Sequence, residues 1–175
     1  MAITISGSGI TSANIADDTI VNSDINSSAA IAQSKTASLV GGDLPTGSVL
    51  QVVQGAFESS GMSTSSTGQV ASGYTTSITP TTSGNKVLVL LRGQVKSPNS
   101  SARWGAVQIK DTTNNTFSDN VQTLARGVNE EDFTVWHIFT TTSTASHTYE
   151  MYQGSCDDQT KYYKTMNFLL MEIAQ

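Results

Sequence analysis

Near the C-terminus the chain reads Met166-Asn167-Phe168-Leu169-Leu170-Met171-Glu172-Ile173, a stretch that is apolar at almost every position. A strand with one face in water alternates apolar and polar residues, whereas a strand covered on both faces reads as a continuous apolar run. This stretch therefore predicts a strand that lies in the centre of a domain or against a neighbouring subunit.

Upstream of this stretch, segments rich in Val, Ile, Leu, Thr and aromatic residues alternate with connections rich in Ser, Thr, Gly and Asn. Regularly spaced short strands with turn signals between them are typical of sandwiches and jelly rolls. The sequence thus predicts an all-β domain, a jelly-roll-like β-sandwich of about eight strands. The predicted strands are residues 48–54, 69–78, 85–95, 103–110, 116–125, 132–141, 147–153 and 163–173, with connections at 59–68 and 111–115.

Alternation assigns faces to two of these strands. Trp104 falls on the face opposite Val107, and Trp136 falls on the face opposite Val135. Because successive side chains of a strand point to opposite faces, we expect each valine and its tryptophan on different sides of the sheet.

Composition excludes several classes of protein. The chain has 24 Ser and 24 Thr but only 13% charged residues, with a formal net charge of −5 and a pI near 4.8. The few Lys and Arg residues are scattered and form no basic patch, so we expect no nucleic-acid partner. The longest apolar run, residues 87–91, is too short to cross a bilayer, and we expect no membrane insertion. The single cysteine, Cys156, allows no intrachain disulfide.

The N-terminal segment carries a different pattern, with isoleucine at every fifth position. We call this set the isoleucine ladder: Ile5, Ile10, Ile15, Ile20 and Ile25, followed after one extra residue by Ile31. On an α-helix, five steps of about 100° scatter these side chains around the axis. On a flat strand, an odd spacing sends them to alternate faces. Neither ordinary element therefore gives the isoleucine ladder a common apolar side.

Three interpretations of the isoleucine ladder are open. A pentapeptide-repeat solenoid needs about four pentads per coil and several stacked coils, so this segment is too short for one. An unstructured polar tail that happens to contain isoleucine is the second interpretation. We favour the third, in which the ladders of several chains meet on a common axis and form an oligomerisation or anchor segment. On this basis residues 1–40 are an extended anchor, residues 41–47 a Gly/Pro hinge and residues 48–175 the sandwich domain.

Residue patterns for catalysis or cofactor binding are missing from the sequence. No nucleophile elbow, phosphate-binding loop or metal-ligand spacing is present. We expect His137 and His147 to be packed strand residues, and Cys156 to be an unreactive loop thiol. The carboxylate pairs at 17–18 and 157–158 lack the remaining ligands of a calcium loop. We therefore predict that the protein is not an enzyme and uses no metal or cofactor.

Aromatic residues in the C-terminal half suggest one binding function. Trp104, Trp136 and Tyr152 stand among Asp, Asn and Gln residues, a combination that suits the apolar face and hydroxyl rim of a sugar ring. These three residues are our candidates for glycan contact. The alternative, which we favour, is ordinary packing in the core or between subunits.

The first part of the chain resembles a known class. Residues 10–20 (ITSANIADDTI), 24–25 (DI) and 29–35 (AAIAQSK), with 47–53 (GSVLQVV) after a Leu-Pro hinge, are similar to N-terminal segments of tailed-bacteriophage fibre and virion proteins. The resemblance implies a homotrimer whose N-terminal segment binds another virion protein, of the capsid or the tail. It also implies a location in the virion, after assembly in the bacterial cytoplasm, and a head that can contact a host-surface glycan.

The length of the chain narrows these implications. At 175 residues it suits a short tail or head fibre, or a capsid decoration protein, better than a long tail fibre. We therefore predict a non-enzymatic structural component of a virion that displays a β-sandwich head. The alternative is a carbohydrate-binding or polysaccharide-depolymerising tail module.

Overall fold

A computed structural model describes residues 44–59, 61–98, 102–119, 121–126, 129–156 and 159–175. The predicted anchor, the isoleucine ladder and residues 41–43 of the hinge lie outside these residues. The described part of the chain contains ten strands: β1 (Val49–Gln54), β2 (Met62–Thr64), β3 (Val70–Ile78), β4 (Lys86–Lys96), β5 (Ala102–Asp111), β6 (Thr116–Phe117), β7 (Val121–Arg126), β8 (Glu131–Thr140), β9 (His147–Ser155) and β10 (Lys161–Ile173).

The ten strands form two antiparallel sheets of five strands each. Sheet A has the order β1-β10-β4-β8, with β2 beside a second part of β10. Sheet B has the order β3-β9-β5-β6, with β7 also paired to β5. Two such sheets packed face to face are a β-sandwich, and the predicted all-β sandwich fold is confirmed.

The strand predicted at 163–173 occupies the position expected for it. As β10 it pairs with β1 and β2 on one side and with β4 on the other, which makes it an inner strand of sheet A. Phe168 and Leu170 on its inner face are fully buried. Leu169 and Met171 on its outer face remain partly exposed. The single chain thus covers one apolar face of β10 and leaves the other incompletely covered.

Two details differ from the predicted strands. The connection at 59–68 contains β2, which has only three residues and therefore shows no sequence period. The strand predicted at 116–125 is two strands, β6 and β7, which flank Ser118. The buried Ser118 donates its amide to Ile109 O at 2.8 Å, and its Oγ accepts the Ile109 amide at 2.9 Å. The side chain thus substitutes for a backbone acceptor where the strand is interrupted.

The core lies between the sheets and is formed by the inward positions of their strands. Aromatic rings connect its parts, with Tyr74 stacked on Phe168 at 5.1 Å and Phe133 edge-on to Tyr163 at 6.2 Å. The faces predicted for β5 and β8 are confirmed, because valines are buried where the tryptophans are exposed. The core residues with no more than 2% exposure include Ile78, Val87, Val89, Leu91, Val95, Val107, Ile109, Val135, Tyr149, Met151, Tyr163, Met166, Phe168 and Leu170.

The predicted turn at 111–115 is confirmed and is held by a buried carboxylate. Asp111 Oδ1 accepts the amides of Thr113 at 2.9 Å and Asn114 at 3.1 Å. Asp111 Oδ2 lies 3.4 Å from Nδ1 of His147, which is fully buried as expected for a packed histidine. Burial raises the pKa of the neighbouring Tyr149, and the charge of Asp111 raises it further. Asp111 therefore holds the turn by accepting its amides.

Glu172 is a second buried carboxylate, and it connects three parts of the domain. Its Oε1 accepts hydrogen bonds from Asn85 Nδ2 at 2.7 Å and from the Thr81 amide at 2.8 Å, and its Oε2 accepts one from Gln51 Nε2 at 2.6 Å. Burial by itself raises the pKa of Glu172, but the hydrogen bonds from Asn85, Gln51 and Thr81 together lower it below its ordinary value. The charged form is therefore the one that the fold stabilises.

We predict that Glu172→Gln lowers the free energy of unfolding at pH 7 by about 1–3 kcal/mol, because an amide cannot accept all of these bonds. Since folding lowers the pKa of Glu172, its contribution is present above about pH 4.5 and is lost as the pH falls through the folded-state pKa. Urea unfolding from pH 7 to pH 3 should therefore show the difference between variant and wild type shrinking. Glu131→Gln, at the partly exposed start of β8, is the control. A constant difference across this range would contradict the assignment.

We also predict that Gly93→Ala destabilises the sandwich. A Cβ at Gly93 would lie 2.7 Å from Phe133 Cζ and 2.9 Å from Met166 Cγ, which leaves no room for a methyl group. Overpacking of this kind costs about 1–3 kcal/mol. Gly68→Ala, where the nearest atom is Ser66 Oγ at 3.7 Å, is the matched control and should unfold at nearly the wild-type urea concentration. Equal midpoints for the two variants would show that the core is looser than described.

Candidate interaction faces of the sandwich

The outer face of sheet A is apolar across all four strands of its main path. Cross-strand register aligns two rows of side chains on this face, one from β1 to β8 and the next from β10 to β8. We call these seven residues the apolar face: Val52, Met171, Leu88 and Ile138 in one row, and Leu169, Leu90 and Trp136 in the next. Directly opposed side chains of neighbouring strands touch, so the rows form one continuous patch.

The apolar face is exposed in the single chain. Trp136 is 64% exposed, Val52 56% and Ile138 47%, and the other four residues are partly exposed. An outward face of an antiparallel sheet is ordinarily polar, because it meets water. Contiguous apolar patches on a soluble domain mark sites of interaction with another molecule. The apolar face is therefore the main candidate interaction surface of the described chain.

A polar notch borders the apolar face at the far end of β4 and β8. It is a cavity of about 270 Å³ lined by Arg92, Gln94, Asp132, Thr134 and Thr165, with Gly93 and Phe133. Gln94 joins its two sides, since its Nε2 donates to Asp132 Oδ1 at 3.0 Å and its Oε1 accepts from Thr165 Oγ1 at 3.0 Å.

The notch follows from a break in the ladder of β10. The register of β10 against β4 shifts between Lys164 and Asn167, and Thr165 has a φ of 57°. A non-glycine residue with positive φ is uncommon and is found where a strand bulges. The bulge therefore places the Thr165 hydroxyl on the outer face beside Gln94.

The outer face of sheet B has a different character. Tyr152 of β9 lies opposite Gln108 of β5, and its ring meets that of Phe117 edge-on at 5.2 Å. Lys110 Nζ lies 4.9 Å from the Phe117 ring centre and 5.3 Å from the Tyr152 ring centre. Cation–π contacts thus occupy both rings, which makes them less available to a stacking ligand.

The three candidate glycan contacts do not converge on one site. Trp104 and Tyr152 lie on the outer face of sheet B, whereas Trp136 lies on the outer face of sheet A, on the opposite side of the sandwich. Trp104 is 49% exposed, and Tyr152 is partly buried under the contacts of Lys110. A single glycan cannot bind all three, and a glycan role for any one of them stays a prediction.

Four residues of the apolar face lie in two stretches that are apolar at consecutive positions of the sequence. None of the four was predicted as a site residue. Leu88 and Leu90 belong to the apolar run at 87–91, and Leu169 and Met171 belong to the apolar stretch at 166–173 that ends β10. A run that is apolar at consecutive positions places apolar side chains on both faces of a strand. The register that aligns the two runs with Trp136 and Ile138 appears only in the folded sheet.

Neither metal binding nor membrane crossing is indicated in the described ranges. No group of three or more His, Cys, Asp or Glu side chains within those ranges is arranged to hold a metal ion. Among the same residues, no helix is long and apolar enough to cross a membrane. Cys156 is exposed at the end of β9, where its amide donates to Trp104 O at 3.2 Å.

Comparisons with known proteins agree with the fold and go no further. No protein-family model and no curated protein matches the sequence. The xylan-binding domain CBM22-1 of Paenibacillus barcinonensis Xyn10C is similar over 75% of this chain and 99% of its own, with 12% identity and a TM-score of 0.36. The carbohydrate-binding module CBM6cm-2 of Cellvibrio mixtus lichenase 5A, solved with cellotriose, covers 73% of this chain and 98% of its own, with 16% identity and a TM-score of 0.30.

A viral protein is also among the similar structures. A chain of infectious bursal disease virus, strain Gx, is similar over 71% of this chain but only 36% of its own length, with 5% identity and a TM-score of 0.38. Likenesses at these identities concern the β-sandwich alone. The fold and the apolar face together make this domain a β-sandwich with one apolar outer face.

Proposed function

We propose that this protein is a non-enzymatic structural component of a bacteriophage virion, a short homotrimeric fibre or decoration protein. Its N-terminal segment attaches it to a capsid or tail protein, and its sandwich is the displayed head, available for contact with the host surface. The observation that carries the structural part of the proposal is the apolar face, because seven apolar side chains on an outer sheet face suit a protein partner. The phage assignment is supported by the resemblance of residues 10–35 and 47–53 to virion proteins.

The way the chain joins the sandwich suits an attached head. The Gly47 amide donates to Ala174 O at 2.9 Å, and the Ala174 amide donates to Ser48 O at 2.9 Å. These two bonds fix the start of the domain against the end of β10, the central strand of sheet A. A force that pulls on the N-terminal segment would therefore act directly on β10.

The buried ionisable groups support a structural role. Asp111 and His147 hold a turn, and Glu172 is surrounded by the donors of Gln51, Thr81 and Asn85. The Asp111, His147 and Glu172 side chains are fully buried. The two carboxylates accept hydrogen bonds from the donors around them, so they stabilise the fold and are not presented to a substrate.

We predict that the double substitution Ile15→Asp and Ile20→Asp lowers the number of copies in purified particles roughly tenfold or more, because unpaired carboxylates would be buried where the isoleucine ladder packs. Quantitative mass spectrometry of the particles measures the loss. Val21→Asp, which changes an apolar residue next to the isoleucine ladder but outside its spacing, should leave the copy number unchanged. Incorporation of the double variant at the wild-type copy number would contradict attachment through the isoleucine ladder.

One observation favours a second candidate, the carbohydrate-binding module. Trp136 is highly exposed and lies next to Thr134, which lines the notch together with Arg92 and Asp132. An aromatic ring beside hydroxyl, amide and charged groups can stack on a sugar and bind its hydroxyls.

For this candidate we expect a polysaccharide fragment on a glycan array to bind the wild-type chain, with roughly tenfold weaker binding after Trp136→Ala. Trp104→Ala, on the opposite sheet, should bind as the wild type does. Absence of binding to any glycan, together with absence of sugar release from host polysaccharide, would exclude both the binding and the depolymerising forms of this candidate.

A further inference from the structure

We propose that the apolar face of sheet A is covered by a second copy of this chain, so that the heads contact one another through sheet A. This inference rests on the proposed structural role but concerns a different part of the chain, since the isoleucine ladder lies outside the sandwich. Three properties of the described domain lead to it: the size of the face, its charges and the place where the chain enters the domain.

The outer face of sheet A has the size that a stable interface needs. The strands lie about 4.8 Å apart and rise about 3.3 Å per residue, so three strands with some ten paired residues and the six-residue β1 make a face of roughly 570 Å². A specific protein interface buries about 800 Å² on each partner. The face of sheet A therefore supplies most of a standard interface without any contribution from loops.

The apolar face also has the anatomy of an interface. Its centre is aliphatic and aromatic, with Leu90 and Trp136 opposite each other, and the outward residues Lys86 and Arg92 of β4 stand at its two ends. Interfaces have apolar centres, polar rims and an enrichment in tryptophan at the residues that dominate binding. Trp136 is 64% exposed in the single chain, the highest value in the apolar face, so covering it would remove a large apolar side chain from water.

The rim of the apolar face carries both signs of charge. Arg92 and Asp132 lie on the same outer face, two positions apart in register, with Arg92 opposite Thr134 and Asp132 opposite Gln94. The two do not form an ion pair with each other, and both are exposed. Lys86 also faces outward, at the other end of β4. A rim that carries both signs lets a cation of one copy meet Asp132 of another.

The chain enters the sandwich at the border of this face. Residues 47 and 48 bond to Ala174 beyond β10 and lead into β1, which contributes Val52 to the apolar face. If the N-terminal segments of several copies are joined, their sandwiches are held at an effective concentration in the millimolar range. Weak attraction between apolar faces is then sufficient for the heads to associate.

Sheet B also exposes Trp104 and Phe117, but the outward positions of its central strands are mostly polar. Its outward positions on β9 and β5 include Thr148, Glu150, Gln108 and Lys110, which are partly exposed polar residues. This contrast assigns sheet A to contact between copies and sheet B to the outside of the assembly.

The test is sedimentation velocity of the full chain over a micromolar concentration series, with Trp136→Asp, Ile138→Asp and Trp104→Asp. Loss of a central interface residue should weaken self-association about 30-fold for Trp136→Asp. Ile138→Asp should have a smaller effect in the same direction, and Trp104→Asp on sheet B should associate as the wild type does. Circular dichroism and urea unfolding establish that each variant is folded, and Ile138→Asp decides the question if Trp136→Asp does not fold.

A monomeric wild-type chain would overturn the inference, and so would self-association that neither sheet A variant weakens. Particle incorporation separates this result from the proposed function. If the sheet A variants stay in the particle at the wild-type copy number while the wild type proves monomeric, the virion role stands and the contact between heads is wrong. If the chain self-associates through sheet A but is absent from particles, the contact stands and the virion role is wrong.

Discussion

The position of β10 between β4 and β1 is the constraint on which the rest of the sandwich depends. Ten paired residues join β10 to β4 and five join it to β1, and β2 pairs with its first residues. Its inner side chains, Phe168 and Leu170, fill the core opposite sheet B. Because the strand is apolar on both sides, the same pairing that buries one row of side chains sets the opposite row on the outer surface.

Buried polar side chains hold the ends of several strands in place. Glu172 fixes the end of β10 to Gln51 of β1 and to Asn85 before β4, and Asp111 closes the turn that follows β5. Buried carboxylates are stable in such places only when donors surround them, so each one requires a particular set of loop residues. These contacts add side-chain bonds to strands that backbone pairing already joins, and they hold the adjoining loop residues in place.

The outer faces of the two sheets differ in character. Sheet A presents an apolar face with charges at its rim, and sheet B presents polar residues and an aromatic pair engaged by Lys110. A head with one apolar and one polar side suits a protein that packs against neighbours and meets solvent on the other side. Only 13% of the residues of the chain are charged, so Ser and Thr supply much of its polarity.

Much of the fold could be read from the sequence because alternation is a local property. The strands β1, β3, β4, β5, β8, β9 and β10 fall close to their predicted positions, and the exposed tryptophans of β5 and β8 were assigned to the correct faces. The short β2 and the interruption at Ser118 were not predicted, since a three-residue strand has no period and a side-chain hydrogen bond leaves no sequence pattern. The candidate glycan residues were chosen from composition, which cannot say that Trp136 lies on the opposite sheet from Trp104 and Tyr152.

The sequence by itself determined that the domain is built from strands, which strand is apolar on both faces, and which residues of a strand share a face. Only the tertiary structure decided that Val52, Leu88, Leu90, Trp136, Ile138, Leu169 and Met171 form one surface. The physical reason is that strand order and register depend on contacts between residues far apart in the chain, such as the 121-residue separation between Gln51 and Glu172. Periodicity fixes the face of each residue within its strand, and pairing across the sheet fixes its neighbours.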